Sequence, residues 1–239
     1  MANYALILAS GVGSRTGQAI PKQFISVNDK PIIIYTLEKF QECKDIDGIV
    51  VVCLQGWEEF LKTHIQQYNI SKVIEIVEGG NDRLSSIFNG INSLKDVSPE
   101  DIIIQHDSIR PCVTDDIILN SIATAKDKNI AVSFTRVVDT TYISNDFKET
   151  SQTFDRDKLV RGHTPVSFTY SFAKHLIDRY KNENIENAGG CMATLALACG
   201  YKLYGSKGSD KNFKITTKDD LDIFKGLILL QEQKHNNLI

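Results

Sequence analysis

Three glycines and two cations close to the N-terminus make the pattern with the most chemistry in it. The run Ala5-Leu-Ile-Leu-Ala-Ser-Gly-Val-Gly-Ser-Arg-Thr-Gly17 is followed by Pro21-Lys22-Gln23. Ala5 to Ala9 is continuously apolar and too short for a helix, which predicts a strand covered on both faces. Gly11, Gly13 and Gly17 let the chain turn tightly and bring backbone N–H groups close to a ligand, an arrangement suited to phosphate oxygens. Arg15 adds a forked guanidinium and Lys22 a compact ammonium. A triphosphate would satisfy all of these groups, and a glycine turn without a ligand is the competing reading.

Two familiar phosphate loops do not fit. In the dinucleotide fingerprint G-x-G-x-x-G the third glycine would stand where Thr16 stands, and the second strand candidate runs into Gln55-Gly56 rather than a ribose-binding acid. The Walker loop needs Gly-Lys-Ser/Thr, which does not follow.

Three later segments also carry chemistry. Glu78-Gly-Gly-Asn-Asp-Arg-Leu-Ser-Ser86 places Gly79, Gly80, Arg83 and Ser86 between a strand and a helix whose N-terminus would offer donors to an anion. His106-Asp107-Ser108-Ile109-Arg110-Pro111 follows a core strand, at the carboxyl edge where open α/β sheets bind ligands. Asn212-Phe213-Lys214 is expected on a late strand, where a buried lysine is costly unless it meets an anion. Each segment has a plainer reading: a capped turn, a surface ion pair and a solvated edge lysine.

The elements that must position these residues alternate. Ile49 to Cys53 reads as a second core strand, and Val73 to Val77, Ile102 to Ile104 and Ala131 to Phe134 read as further strands. Between them, apolar residues at helical spacing (Ile33, Leu37, Phe40; Trp57, Phe60, Leu61, Ile65, Tyr68; Leu84, Ile87, Phe88, Ile91, Leu94; Ile117, Ile118, Ile122, Ala125) predict helices, the last capped at Thr114. The expected fold is a three-layer, Rossmann-like α/β domain over residues 1–239 with a mainly parallel sheet. Asp139 to Ser144 and Ser151 to Arg156 are too polar for the core and predict a projecting β-arm at about 138–160, which dimer formation would cover. Helices around Ser171 to Tyr180 and Ala193 to Ala198, a short strand Lys214-Ile-Thr216, and a helix from Lys218 complete the pattern.

Composition narrows the partners. With 239 residues, 42% hydrophobic, 24% charged and a net charge of −3, the chain has an ordinary globular make-up and no basic surface for a nucleic acid. No apolar run approaches the ~20 residues that span a bilayer, and no signal peptide is recognisable, so a cytoplasmic address is expected. Cys43, Cys53, Cys112, Cys191 and Cys199 lack disulfide or zinc spacing, and the five histidines lack metal-ligand spacing.

In order, Ala-x-G-x-G-x-R, P-K-Q, G-G-x-x-R-x-x-S, H-D-x-x-R-P, V-x-D-T, D-R, T-P and N-x-K-x-T resemble the polyol-phosphate cytidylyltransferases, which act on 2-C-methyl-D-erythritol 4-phosphate or D-ribitol 5-phosphate. The resemblance spans nearly the whole chain. His-Asp-Ser-Ile-Arg-Pro is closer to the ribitol branch, which serves cell-surface polymer synthesis; the methylerythritol branch, which serves isoprenoid synthesis, usually has two alanines there. The resemblance implies that CTP lies over the first loop, contacted by Ala9, Ser10, Gly11, Gly13, Gly79, Gly80, Arg83 and Ser86. It implies that Arg15, Lys22 and Lys214 hold the triphosphate, with Asp107 near the ribose and a Mg²⁺ ion. Thr140 and Arg156 would come from a partner subunit's arm to the second substrate's phosphate, while Arg110 and Thr164 position the polyol. Two positions depart from the family pattern. Thr164-Pro165-Val166 stands where Thr-Pro-Gln is usual, and Asn187-Ala-Gly-Gly-Cys-Met192 replaces a segment with an acid.

Three other readings stay open. A nucleotide-sugar pyrophosphorylase would share the glycine loop. A metal-dependent glycosyltransferase would need an Asp-x-Asp such as Asp45-Ile-Asp47. A CTP-binding protein without catalysis is the non-enzyme alternative.

Overall fold

The computed structural model describes residues 1–12 and 20–236, with the backbone alone for the last three. The first half alternates: strand β1 (Asn3–Ala9), a 3-10 turn (Lys22–Phe24), the short pair β2 (Ser26–Val27) and β3 (Lys30–Pro31), α1 (Ile32–Glu42), β4 (Gly48–Cys53), α2 (Glu58–Gln67), β5 (Val73–Glu78), α3 (Arg83–Ser93) and β6 (Ile102–Asp107). There follow α4 (Asp115–Lys128), β7 (Ile130–Arg136), β8 (Tyr142–Ile143), β9 (Gln152–Thr153), a 3-10 turn (Arg156–Lys158), β10 (Val160–Thr169), α5 (Tyr170–Asn182), α6 (Met192–Ala198), β11 (Gly205–Lys207) and α7 (Lys218–Asn236).

Seven strands form one sheet in the order β11-β7-β10-β6-β1-β4-β5. Every pairing is parallel except those of β10, which runs antiparallel to both β6 and β7. Alternation along the strands builds the layers. Ala5, Ile7 and Ala9 of β1 face α1, α2 and α4 through Ile33, Leu37, Phe40, Leu61, Ile118 and Ile122. Leu6 and Leu8 face α3, α5 and α6 through Ile87, Ile91, Leu176, Ile177 and Leu195. A third cluster seats α7, with Leu221 and Phe224 against Val27, Ile32, Ile109 and Ile215. The mainly parallel three-layer sheet expected from the alternation is therefore the observed one.

Three local expectations are corrected. Strand β10 has no strand signature in the sequence, because Gly162, Thr164 and Pro165 sit inside it and proline removes a ladder donor. The strand accommodates them with a cis Thr164–Pro165 peptide and a register shift between His163 and Val166. Lys214 to Thr216 is irregular rather than a strand, held by the Ile215 N–H donating to the Ile109 carbonyl at 3.0 Å. Thr114 stands at the start of α4, but its hydroxyl turns to the Asp116 carboxylate instead of capping the backbone.

The polar segments near 138–160 do form a hairpin, with only two residues per strand and Phe147 98% exposed at its end. The Asp-x-Asp candidate is structural. Asp47 accepts from the Asn3 N–H at 2.7 Å, at the edge of the sheet where β1 begins.

Phe168 of β10 is fully buried between α5 and the sheet. Phe168→Ala is expected to destabilise the protein by about 3–5 kcal/mol, measured by urea unfolding.

Candidate active site

The parallel strands end at one edge, and β6 carries Asp107 there. Its side chain is 5% exposed, a position in which an unpaired carboxylate would be strongly disfavoured. Three cations converge on it. Arg83 Nη2, at the start of α3, donates to Oδ1 at 2.6 Å; Arg110 Nε donates to Oδ2 at 3.1 Å; Lys214 Nζ lies 3.2 Å from Oδ2. Burial alone would raise the pKa of Asp107, but the charges of Arg83, Lys214 and Arg110 outweigh it and hold the carboxyl well below the usual range. One charge against three leaves a local excess of positive potential, which favours a polyanion.

Backbone contacts fix this cluster from beneath. The Asp107 N–H donates to Thr164 Oγ1 at 3.2 Å, and the Thr164 carbonyl accepts from Asn212 Nδ2 at 2.8 Å. The Asn212 carbonyl accepts from Arg110 Nη1 at 2.8 Å. Asn212 is fully buried, so the irregular segment that carries Lys214 is pinned to β10 and to the loop after β6. His106 is also fully buried. Its Nε2 faces the Arg110 carbonyl at 3.1 Å and must donate there, because a carbonyl only accepts. Burial, more than any other influence, lowers its pKa to about 4, which leaves the imidazole neutral at pH 7.

Beside the cluster lies a cavity of about 360 Å³, within the range of small-molecule sites. Ala9, Ser10, Gly11, Lys22, Gly80, Arg83, Ser86, Asp107 and Lys214 line it, with Val12, Gln23 and Asp82. The two glycine segments meet here. Ser10 Oγ donates to Ser86 Oγ at 3.1 Å, and the Gly80 N–H donates to the same oxygen at 3.0 Å. Gly79 permits this approach, since a Cβ there would stand 2.4 Å from Ser10 Cβ.

One sequence expectation is corrected. The N-terminus of α3 does not leave all its donors to a ligand, because Asp82 caps it. The Ser85 N–H donates to the Asp82 carboxylate at 2.7 Å, and the Ser86 N–H donates to the Asp82 carbonyl at 3.0 Å.

The structure thus gathers Ala9, Ser10, Gly11, Lys22, Gly80, Arg83, Ser86, Asp107 and Lys214 around one cavity, with Gly79, Arg110 and Thr164 immediately behind. Thr140 and Arg156 are exposed on the arm and do not line it; Arg156 Nη1 donates to the Val138 carbonyl at 2.9 Å. Gly13 and Arg15 lie outside the described residues. Sequence reasoning missed the anchoring roles of Gln23 and Asn212. Their only signal was membership of the P-K-Q and N-x-K-x-T motifs, which carries no hint of the carbonyls they bind.

Both departures from the resemblance fall near this site. Val166 is buried opposite Gln105, whose amide is buried without a hydrogen-bond partner among the described residues. The 187–192 segment runs past the stem of Arg83, where a Cβ on Gly190 would stand 3.7 Å from Arg83 Cδ.

Comparison with known proteins is consistent along the chain. The family described as IspD: 2-C-methyl-D-erythritol 4-phosphate cytidylyltransferase matches residues 4–229. The ribitol-5-phosphate cytidylyltransferase of Lacticaseibacillus paracasei is 38% identical, covering 95% of this chain and 98% of its own. A 2-C-methyl-D-erythritol 4-phosphate cytidylyltransferase of Clostridium perfringens is 37% identical, over 91% and 94%. Among solved structures, the Francisella tularensis 2-C-methyl-D-erythritol 4-phosphate cytidylyltransferase superposes with a TM-score of 0.76 at 28% identity, covering 93% of this chain and 98% of that one. The 4-diphosphocytidyl-2C-methyl-D-erythritol synthase of Anaerococcus prevotii shares the fold, with a TM-score of 0.79 at 24% identity over 96% and 98%.

The buried imidazole gives a test in acid. Between pH 6.5 and about 4 the unfolded chain binds a proton at His106 that the folded chain does not, so stability falls as pH falls through that window. The loss by pH 4 is expected to approach ~3 kcal/mol. Asp107, held ionised, adds a further loss below the usual carboxylate pKa, in the same direction. Urea unfolding of His106→Phe should show a flatter dependence between pH 6.5 and 4 than the parent protein.

Proposed function

The chain belongs to the IspD family of cytidylyltransferases, and on that premise we propose that it joins CMP from CTP to D-ribitol 5-phosphate, forming CDP-ribitol and releasing pyrophosphate. The observation that carries this reading is the cation cluster held on Asp107, whose members Arg83 and Lys214 line a cavity of about 360 Å³. The choice of ribitol is supported by Ser108-Ile109 inside the H-D-x-x-R-P motif and by relatives named for that substrate in several genera. Methylerythritol 4-phosphate is the second reading, supported by the Clostridium relative. A cytoplasmic address is part of this reading, since the proposed reaction draws on CTP.

A phosphate oxygen of the polyol phosphate attacks the α-phosphorus of CTP in line. A new P–O bond forms, the bond to the bridging oxygen of the pyrophosphoryl group breaks, and the electron pair leaves on pyrophosphate. A phosphate monoester is already largely ionised at neutral pH, so the step needs little general-base help. The demand is for charge stabilisation and alignment. Lys22 and Lys214, with Arg15 from the first loop, neutralise the triphosphate and the charge that builds on the leaving group. Ser10, Ser86 and the glycines Gly11, Gly79 and Gly80 seat the nucleoside. Arg110 and Thr164 orient the polyol through the same contacts that hold Asp107.

No group of three potential metal ligands occurs among the described residues. A magnesium ion suits this donor set all the same, since it commonly takes one carboxylate and completes its shell with phosphate oxygens and water. Asp107, ionised well below neutral pH, would hold it, and bound Mg²⁺ supplies additional charge neutralisation at the phosphates.

The exposed arm carries the remaining two family positions. Thr140 and Arg156 reach the polyol phosphate of a neighbouring subunit in a homodimer, which also covers Tyr142, Ile143, Phe147 and Phe154, all exposed in the single chain.

Pyrophosphate release from CTP and Mg²⁺ with each polyol phosphate tests the reaction. Faster turnover with ribitol 5-phosphate is expected; turnover with methylerythritol 4-phosphate alone would reverse the branch, and none with either would reject the reading. Lys22→Ala is expected to lower turnover ~10²-fold or more, and a loss within about threefold would remove its electrostatic role.

Mixing Lys22→Ala with Arg156→Ala tests the shared site. Subunit exchange should restore about a quarter of parental activity, because half the dimers then contain one intact site. No recovery despite exchange would place Arg156 in its own subunit's site.

A further inference from the structure

Gln23 is 2% exposed, and its side-chain amide bridges two carbonyls of the first loop. Nε2 donates to the Ala9 carbonyl at 2.7 Å and to the Gly11 carbonyl at 2.9 Å. A trans peptide points its N–H opposite to its C=O. Pinning the carbonyls of Ala9 and Gly11 toward Gln23 therefore turns the N–H groups of Ser10 and Val12 away from it. Ser10 and Val12 both line the cavity.

The residue that makes this bridge sits on a rigid base. Its neighbour Phe24 stacks on Trp57 with ring centroids 4.7 Å apart and meets Phe60 edge-on at 5.4 Å. The Phe24 N–H closes the turn on the Pro21 carbonyl at 2.8 Å. Lys22 belongs to the same three-residue turn and also lines the cavity.

We propose that Gln23 is a positioning residue that sets the peptide orientations of the first loop and couples that loop to Lys22, so that nucleotide affinity depends on an amide that acts through the backbone. The proposal rests on the nucleotide reading of the cavity. It assigns Gln23 an effect on CTP that the second substrate does not share, since Arg110 and Thr164 are anchored independently through Asn212.

Gln23→Met keeps the length of the side chain and removes both N–H donors. Calorimetric titration of Mg·CTP into parent and variant, together with steady-state kinetics, reads the effect. The expected result is a 10- to 30-fold weaker Kd and higher KM for CTP, roughly what two lost hydrogen bonds yield. The KM for the polyol phosphate should stay within about twofold, because its anchors are untouched. Equal CTP affinity in parent and variant, or a parallel rise in both KM values, overturns the proposal. Parent protein that binds no CTP overturns the nucleotide reading and the proposal with it; parent that binds while the variant matches it overturns the proposal alone.

A measurement on the parent protein guards against misfolding of the variant. The Gln23 side-chain amide protons should exchange slowly with solvent in the absence of CTP, and rapid exchange in that state contradicts the bridge.

Discussion

A buried carboxylate that touches three cations organises the functional end of this protein. Ionised groups are costly to bury, and their cost is offset only when partners and hydrogen bonds are close at hand. Asp107 meets that condition with Arg83 from α3, Arg110 from the loop after β6, and Lys214 from the segment before α7. Arg83 and Arg110 follow parallel strands that end on the same edge, and the hydrogen bonds of Asn212 and Ile215 bring the distant Lys214 to the same point. The carboxylate also prevents three like charges from dispersing in the free protein. It holds them at the cavity as an internal counter-anion until a phosphate-bearing ligand competes for them, so little reorganisation is required when that ligand arrives.

Backbone geometry transmits this arrangement further than the ion pairs themselves. Thr164 accepts from the Asp107 N–H while its own carbonyl accepts from Asn212, whose carbonyl in turn accepts from Arg110. Strand β10 thereby becomes part of the site, although it runs against its neighbours. Its outer end continues from the projecting hairpin, so the element that supports Asp107 is also the one that leads to Arg156. On the other side of the cavity, the capped start of α3 and the bridge from Gln23 hold the two glycine segments, which meet at the Ser10–Ser86 hydrogen bond.

The sheet strands that bury both faces were legible in the sequence, because Ala5 to Ala9 and Ile49 to Cys53 are continuous apolar runs with little competing pattern. Lys22 and Arg110 were legible beside prolines and Arg83 close after a glycine pair, whereas Lys214 was singled out on a strand that does not form. Strand β10 was hidden by Gly162 and Pro165, whose local preferences oppose a central strand and are overridden by pairing on both sides. The absence of a strand at Lys214 was hidden for the opposite reason: alternating residues suggested extension, but no neighbour offers a ladder to that segment. The start of α3 was expected to offer donors to an anion, and Asp82 takes one of them as the helix cap. Gln23 and Asn212 act through hydrogen bonds to distant carbonyls, and spacing within a sequence carries no trace of such partners.

The most direct test of this account is a crystal structure with CTP and Mg²⁺ bound. The account predicts the triphosphate in the cavity between the first loop and α3, with the ammonium groups of Lys22 and Lys214 about 3 Å from phosphate oxygens and Asp107 still paired with at least one arginine. A nucleotide bound elsewhere, or Lys214 remaining on Asp107 with no phosphate within reach, would contradict it.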